Sequence, residues 1–270
     1  MKKIAAVVTA LALLCGAWAM AETEVVVFAA ASLTETLTEI AERYMAQRPD
    51  VRIVCNFDSS GTLKTQIQEG ADCDLFISAA QKQMNQLDIS APSGANPEGL
   101  DYVDGDTRVD LLENRVTLAV PEGNPGGVES FDQLAEQLKS GGILLAIGNS
   151  DVPVGQYTQK IFDFYGIDEA AVAQCLTYGS NVKEVTAQIA EYSVDCGIIY
   201  ATDAFSAKLA VVDEATEAMC GGRVVYPAAV LKTAANPDAA RDFLDWLQSD
   251  ESAAVFTSMG FTPIAAARAD

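Results

Sequence analysis

Short apolar runs alternate with amphipathic helical stretches through most of this 270-residue chain, and that alternation narrows the possible folds more than any other feature. Glu24–Ala30 reads as a strand, Leu33–Gln47 as a helix ended by Pro49, and Val51–Phe57 as a strand. Thr62–Glu69 follows as a helix closed by Gly70, and Asp74–Ala79 as a strand. A strand with one wet face alternates apolar and polar residues. These runs are near-continuously apolar, as expected when helices cover both faces of a parallel sheet. The order therefore predicts an α/β fold with right-handed crossovers.

Residues 88–112 break the rhythm. Ala91-Pro92-Ser93-Gly94-Ala95-Asn96-Pro97 and the acidic stretch Asp101–Asp110 read as a surface excursion. The alternation resumes with the strand Val116–Pro121, the helix Phe131–Lys139, the strand Ile143–Gly148 and the helix Val154–Tyr165. The strand Cys175–Tyr178, the helix Val182–Tyr192 and the strand Cys196–Tyr200 follow, then the strand Val224–Leu231 and two helices, Pro237–Gln248 and Glu251–Met259. No linker stands out, so a lobe inserted within another fits better than two beads in series.

The first 21 residues read as an export leader. Lys2 and Lys3 precede a short apolar run, Ile4–Leu14, and Ala19-Met20-Ala21 supplies a small-x-small cleavage site. The run falls short of the roughly 20 apolar residues that span a bilayer. An exported, periplasmic or otherwise extracytoplasmic protein is expected. Lipid anchoring at Cys15 is disfavoured, because bulky Leu14 stands where a small residue is needed.

The leader takes two of the 17 basic residues and none of the 38 acidic ones, so the mature chain carries 15 against 38, a net charge of −23. Such a surface repels nucleic acid and anionic membranes at long range. Histidine is absent, which removes Ser-His and Cys-His catalysis and His-ligated zinc. Past the leader stand five cysteines, Cys55, Cys73, Cys175, Cys196 and Cys220. An odd number leaves at least one unpaired within the chain. Small buried hydrophobes and one or two disulfides are both open readings.

Two serines close a strand and open a helix: Ser32, before Leu33-Thr34-Glu35, and Ser60, before Gly61-Thr62-Leu63. A helix start carries unpartnered N–H groups and a partial positive charge, so two on neighbouring strands can converge on one anion. Val152-Pro153-Val154-Gly155 and Asn181-Val182-Lys183-Glu184 mark two more helix starts. Tyr200 adds a hydroxyl at a strand's carboxyl end, where ligands of open α/β sheets bind. The plainer reading needs no ligand. Ser32 with Glu35, and Asn181 with Glu184, form capping-box patterns, and Gly61 can simply shape a turn or admit a ligand close to the backbone. Spacing does not decide between these.

Larger motifs add to this. Phe-Ala-Ala-Ala-Ser-Leu-Thr (28–34), Phe-x-Ser-Ser-x-Thr-Leu (57–63), Asp-Leu-Phe-Ile-Ser-Ala (74–79), Val-Pro-x-Gly (152–155) and Gly-Ile-Ile-Tyr-Ala-Thr-Asp-Ala (197–204), with Met-Gly-Phe-Thr-Pro (259–263), resemble the periplasmic molybdate-binding proteins of ABC importers. The resemblance implies a two-lobed periplasmic-binding-protein fold of type II, each lobe a mostly parallel sheet flanked by helices, with the ligand in the cleft. Val116–Pro121 and Val224–Leu231 would be the crossover strands. Lobe 1 would then comprise residues 22–115 and 225–270, and lobe 2 residues 116–224.

Carried over residue by residue, Ser32 and Ser60 would offer hydroxyl and backbone N–H, Val154 and Val182 backbone N–H, and Tyr200 its phenol. Alanine is common in the family where Val154 stands, and the loop before Val152 is a residue shorter here. The implied ligand is molybdate or tungstate, bound as an oxyanion with no bare metal ion and no cofactor. The implied partner is an ABC transporter membrane permease, and the expected protein is a monomer without enzymatic activity. Asp58 would repel a dianion and is expected to point away.

Two rival readings remain at this stage. One is a binding protein for another small oxyanion such as sulfate or phosphate. The other is a serine hydrolase, for which Ser180-x-x-Lys183 has a suitable spacing but lacks a Lys-Thr-Gly partner.

Overall fold

The computed structural model describes residues 23–264; the expected leader, with Cys15, lies outside the described residues. The chain begins β1 (Thr23–Ala30), α1 (Thr34–Gln47), β2 (Val51–Asp58), α2 (Ser60–Gln68), β3 (Leu75–Ile77), α3 (Gln81–Leu87) and β4 (Val109–Asn114). It continues β5 (Val116–Val120), α4 (Phe131–Ser140), β6 (Leu145–Gly148), α5 (Pro153–Tyr165), β7 (Leu176–Gly179), α6 (Val182–Ala190), β8 (Cys196–Tyr200), α7 (Ala201–Ser206) and β9 (Ala210–Glu214). It ends α8 (Glu217–Cys220), β10 (Val224–Val230), α9 (Pro237–Leu247), α10 (Asp250–Ser258) and β11 (Thr262–Pro263).

These strands form two sheets, one ordered β11-β4-β10-β3-β1-β2 and the other β7-β6-β8-β5-β9. Each is mixed. In the first, β1 runs parallel to β2 and β3, while β10 is antiparallel to β3 and β4. In the second, β6 runs parallel to β7 and β8, while β5 is antiparallel to β8 and β9. The antiparallel strands flank the two passages between sheets, at Arg115 and within residues 215–223. Those passages lie just outside the two strands expected to make them: β5 belongs wholly to the second sheet and β10 wholly to the first.

β1 shows why both faces of the first sheet are covered. Val25, Val27 and Ala29 point to one side, onto a core that includes Leu33, Leu37, Ile40 and Phe243. Phe28 points to the other, onto Leu63 and Ile67 of α2 with Phe76, Met84 and Leu87. Each such side chain, wholly buried, contributes roughly 1.5–3 kcal/mol. The parallel registers level the strand ends. Ala30 sits opposite Asp58, Ala29 opposite Ile77, and Gly148 opposite Gly179, so the helix starts that follow open at common heights.

The excursion expected over 88–112 is shorter than that range, because Leu111 and Leu112 are buried in β4. Its base is tied down by Asp88, whose carboxylate accepts from Ser90 and pairs with Arg108. These bonds hold the Asp88 carboxyl below its ordinary range although burial opposes them. All five cysteines within the described residues are free.

Candidate anion-binding cleft

Four of the five predicted site residues line one small space: Ser32, Ser60, Val182 and Tyr200. Ala79, Val152 and Pro153 complete much of its wall. Its volume, about 10 Å³, is far below the roughly 300–1,000 Å³ of sites for drug-sized molecules. Val154, the fifth, is fully buried one residue beyond Pro153 and is not among the lining residues. It occupies the first turn of α5, where backbone N–H groups have no intrahelical acceptor.

Local chemistry explains how each residue arrives there. β1 runs into a 3₁₀ turn at Ala31–Leu33, and α1 begins only at Thr34, whose hydroxyl donates to Ala31 O at 2.7 Å. The capping box expected of Ser32 and Glu35 therefore does not form. Ser32 Oγ lies instead 3.0 Å from Tyr226 Oη. At α2 the capping role falls to Ser59, which accepts from Thr62 N at 3.1 Å. Ser60 is thereby released. Its Oγ accepts from Ala79 N–H at 2.9 Å, so its own proton remains to be offered to a ligand.

On the other side, Asn181 caps α6 by accepting from Glu184 N, which presents Val182 as the first helical residue. The Glu184 carboxylate accepts from Ser180 N rather than from Asn181. Gly155 lets α5 start tightly under its loop, since a Cβ there would lie 2.3 Å from the carbonyls of Gly148 and Asn149. Tyr200 ends β8 fully buried, and its hydroxyl has no hydrogen-bond partner. Burial pushes that phenol well above its ordinary pKa, so it stays a neutral donor. An orphaned buried hydroxyl costs about 1–3 kcal/mol, a debt that an anion in the cavity would cancel.

Asp58, expected to point away, is instead one of the lining residues. It ends β2 beside Ser59, and its Oδ1 accepts from Ser59 N at 2.7 Å and from Asn181 Nδ2 at 3.4 Å. Gly61 also differs from expectation. What approaches its backbone is the Asp151 carbonyl of the facing lobe: a Cβ on Gly61 would lie 2.3 Å from that oxygen.

A further contact across the cleft joins Lys183 Nζ to both Glu35 oxygens, at 2.9 and 2.7 Å, while within its own lobe Lys183 Nζ pairs with Asp203 Oδ1 at 3.1 Å. Lys183 is thus held between two carboxylates, which accounts for it without a serine-activating role. Asp203 is fully buried; desolvation raises its pKa to about 6 against the opposing pull of Lys183. Asp203 falls within the 197–204 motif, whereas Tyr226 carries no local sequence signal for its place beside the site.

The geometry has relatives. The family described as bacterial extracellular solute-binding protein matches residues 25–262. The molybdate-binding protein ModA of Haemophilus influenzae is 32% identical over 268 residues, covering 97% of this chain and 99% of its own. ModA of Escherichia coli is 31% identical over 244 residues, covering 89% of this chain and 90% of its own. The solved periplasmic molybdate-binding protein of Azotobacter vinelandii superposes with a TM-score of 0.73 at 20% identity, covering 88% of this chain and 98% of that one, a likeness of fold. With a match across nearly the whole described chain and two mixed sheets facing a small cleft, this chain belongs to the bacterial extracellular solute-binding protein family.

Proposed function

We propose that this protein captures molybdate, and tungstate with it, outside the cytoplasm and delivers it to the membrane permease of an ABC transporter. It does so as a monomer, without a cofactor and without catalysing a reaction. The two lobes, residues 22–115 with 225–270 and residues 116–224, close on the anion. The observation that carries this reading is the buried, unpartnered hydroxyl of Tyr200 facing a cavity walled by two serines and by helix starts.

Molybdate and tungstate are tetrahedral dianions without a proton at neutral pH, so they need donors only. Ser32, Ser60 and Tyr200 supply hydroxyls, and Ser32, Ser60, Val154 and Val182 supply backbone N–H. Each charge-assisted bond contributes about 1.5–3 kcal/mol net. Five or more support sub-micromolar binding after association costs. The relatives named for molybdate support the same ligand.

Sulfate is smaller and should bind less well. Hydrogen phosphate's proton meets a carboxylate acceptor in the cavity wall only at Asp58, whose Oδ1 already accepts from Ser59 N and Asn181 Nδ2, so phosphate should also bind less well. Isothermal titration with molybdate, tungstate, sulfate and phosphate tests the proposal. Sub-micromolar heats with the first two are expected. Binding of sulfate or phosphate without either of them would overturn it.

A further inference from the structure

We infer that Asn114 and Tyr226, neither of which lines the cavity, fix the direction of the Ser32 hydroxyl and so make it a donor to the bound anion. The inference deepens the proposed oxyanion reading and rests on it. The argument is one of proton placement. The Asn114 side chain is oriented by its Oδ1, which accepts from Arg115 N–H at 2.8 Å. Its amide group must then point the other way, and it donates to Thr202 Oγ1 at 2.9 Å and to Tyr226 Oη at 3.1 Å.

Tyr226 Oη is thereby an acceptor from Asn114. It is fully buried, and burial pushes its pKa well above the ordinary phenol value, so it keeps its proton. The other side-chain hydrogen bond of Tyr226 Oη is to Ser32 Oγ, 3.0 Å away, and the relay follows from placing the Tyr226 proton on that bond. Ser32 accepts from Tyr226, and its own proton is left for the cavity. The relay runs Asn114 to Tyr226 to Ser32 to anion, every step donating toward the ligand. Ser60 reaches the same polarity by accepting from the Ala79 N–H.

A serine hydroxyl is otherwise free to rotate and to accept. With one lone pair taken by Tyr226 and its own proton turned to the cavity, Ser32 is set to donate, which serves a fully deprotonated dianion better than it serves the proton of hydrogen phosphate. Asn114 and Tyr226 are therefore positioning residues for selectivity. Asn114 also ends β4, one residue before the passage between sheets, and its bond to Thr202 reaches the turn that follows Tyr200. The hinge end, the Thr202 hydroxyl of the second lobe and the Ser32 hydroxyl of the first thus share one hydrogen-bonded unit.

The test is the ratio of molybdate to phosphate affinity at neutral pH, by competition calorimetry, in the parent, Tyr226→Phe and Asn114→Asp proteins. Tyr226→Phe removes the donor to Ser32 without adding charge. Asn114→Asp keeps the shape but turns the amide donor into an acceptor, reversing the relay. Asp58 is common to all three proteins, so its effect cancels. Both variants should narrow the ratio roughly tenfold, the worth of one hydrogen bond, and hydrogen phosphate should not lose affinity in Tyr226→Phe. A purely structural role would weaken both anions alike. An unchanged ratio in whichever variant folds by circular dichroism would overturn the inference, whereas a parent protein that binds no molybdate would overturn the functional reading beneath it.

Discussion

Gly61→Ala should leave the fold intact and block closure. Gly61 is the second residue of α2, in ordinary helical backbone, so nothing in its own lobe demands glycine. What demands it is the facing lobe, because an added Cβ would lie 2.3 Å from Asp151 O and 3.0 Å from the Asp151 carbonyl carbon and Cβ. Ordinary van der Waals contact begins at about 3.4 Å, so the second lobe must retreat by roughly 1 Å.

A hydrogen bond of about 2.9 Å lengthened by that much is no longer one. The donors at risk are those on the second lobe, namely the Val154 and Val182 N–H groups and Tyr200 Oη. Losing even one charge-assisted bond is about 1.5–3 kcal/mol, a ten- to hundredfold rise in Kd. Alanine meanwhile favours a helix over glycine by up to about 1 kcal/mol, which for a chain this size adds about 2–4 °C to the Tm of the unliganded protein. Titration calorimetry and thermal melting read both effects on one sample. The signature is weaker anion binding with an equal or higher unliganded Tm. Affinity within twofold of the parent would mean that the bound state does not bring Asp151 onto α2, and the closure argument would fail.

Tyr200→Phe removes a hydroxyl with no partner, so thermal melting should find the unliganded protein as stable or slightly more so, while calorimetry finds molybdate about tenfold weaker. Equal affinity would take the phenol out of the site. Glu35→Gln breaks an exposed ion pair with Lys183, worth up to about 1 kcal/mol. Stopped-flow release should be up to about fivefold faster at low salt, with the difference fading at high salt; no salt dependence would refute a cross-lobe latch.

Asp203 gives a pH test. Its pKa rises from an ordinary 3.8 to about 6 in the folded protein, so between those values the folded state holds a proton that the unfolded state releases. Its contribution therefore falls as pH climbs from about 4 to about 6, by about 2–3 kcal/mol, and is flat above. Asp203→Asn should remove that slope in denaturant titrations across the window. A variant that keeps the parent's slope would refute the assignment.

Local chemistry made the strand-to-helix junctions legible, and tertiary contacts decided their roles. Ser59 and Ser60 both look like caps, and only the bond from Ala79 to Ser60 Oγ separates the cap from the site hydroxyl. Ser32 lost its expected cap to a 3₁₀ turn that moved the helix start to Thr34. β9 is an edge strand whose short apolar run, Ala210-Val211-Val212, is mostly exposed and passes at once into Asp213 and Glu214, a weaker strand signal than its neighbours give. β4 hides in an acidic stretch, its burial confined mainly to Leu111, Leu112 and Asn114. Tyr226 meets Ser32 from 194 residues away; no local pattern encodes that meeting. Gly61 carried a correct signal of close approach, but the approaching group is Asp151.

The acidic surface and the anion site are compatible because they act over different ranges. A chain with a net charge of −21 repels a dianion at a distance, yet at physiological salt that field decays over about 8 Å. Donors in the cavity act at hydrogen-bond contact, where solvent does not screen them. Asp58 is the carboxylate for which this separation fails, since it lines the cavity. Its Oδ1 accepts one bond from its own lobe, at Ser59 N, and one from the facing lobe, at Asn181 Nδ2. The second bond exists only when the lobes meet. Closure therefore engages the Asp58 charge in the same movement that brings up the second lobe's donors. The repulsive group helps to hold the lobes together.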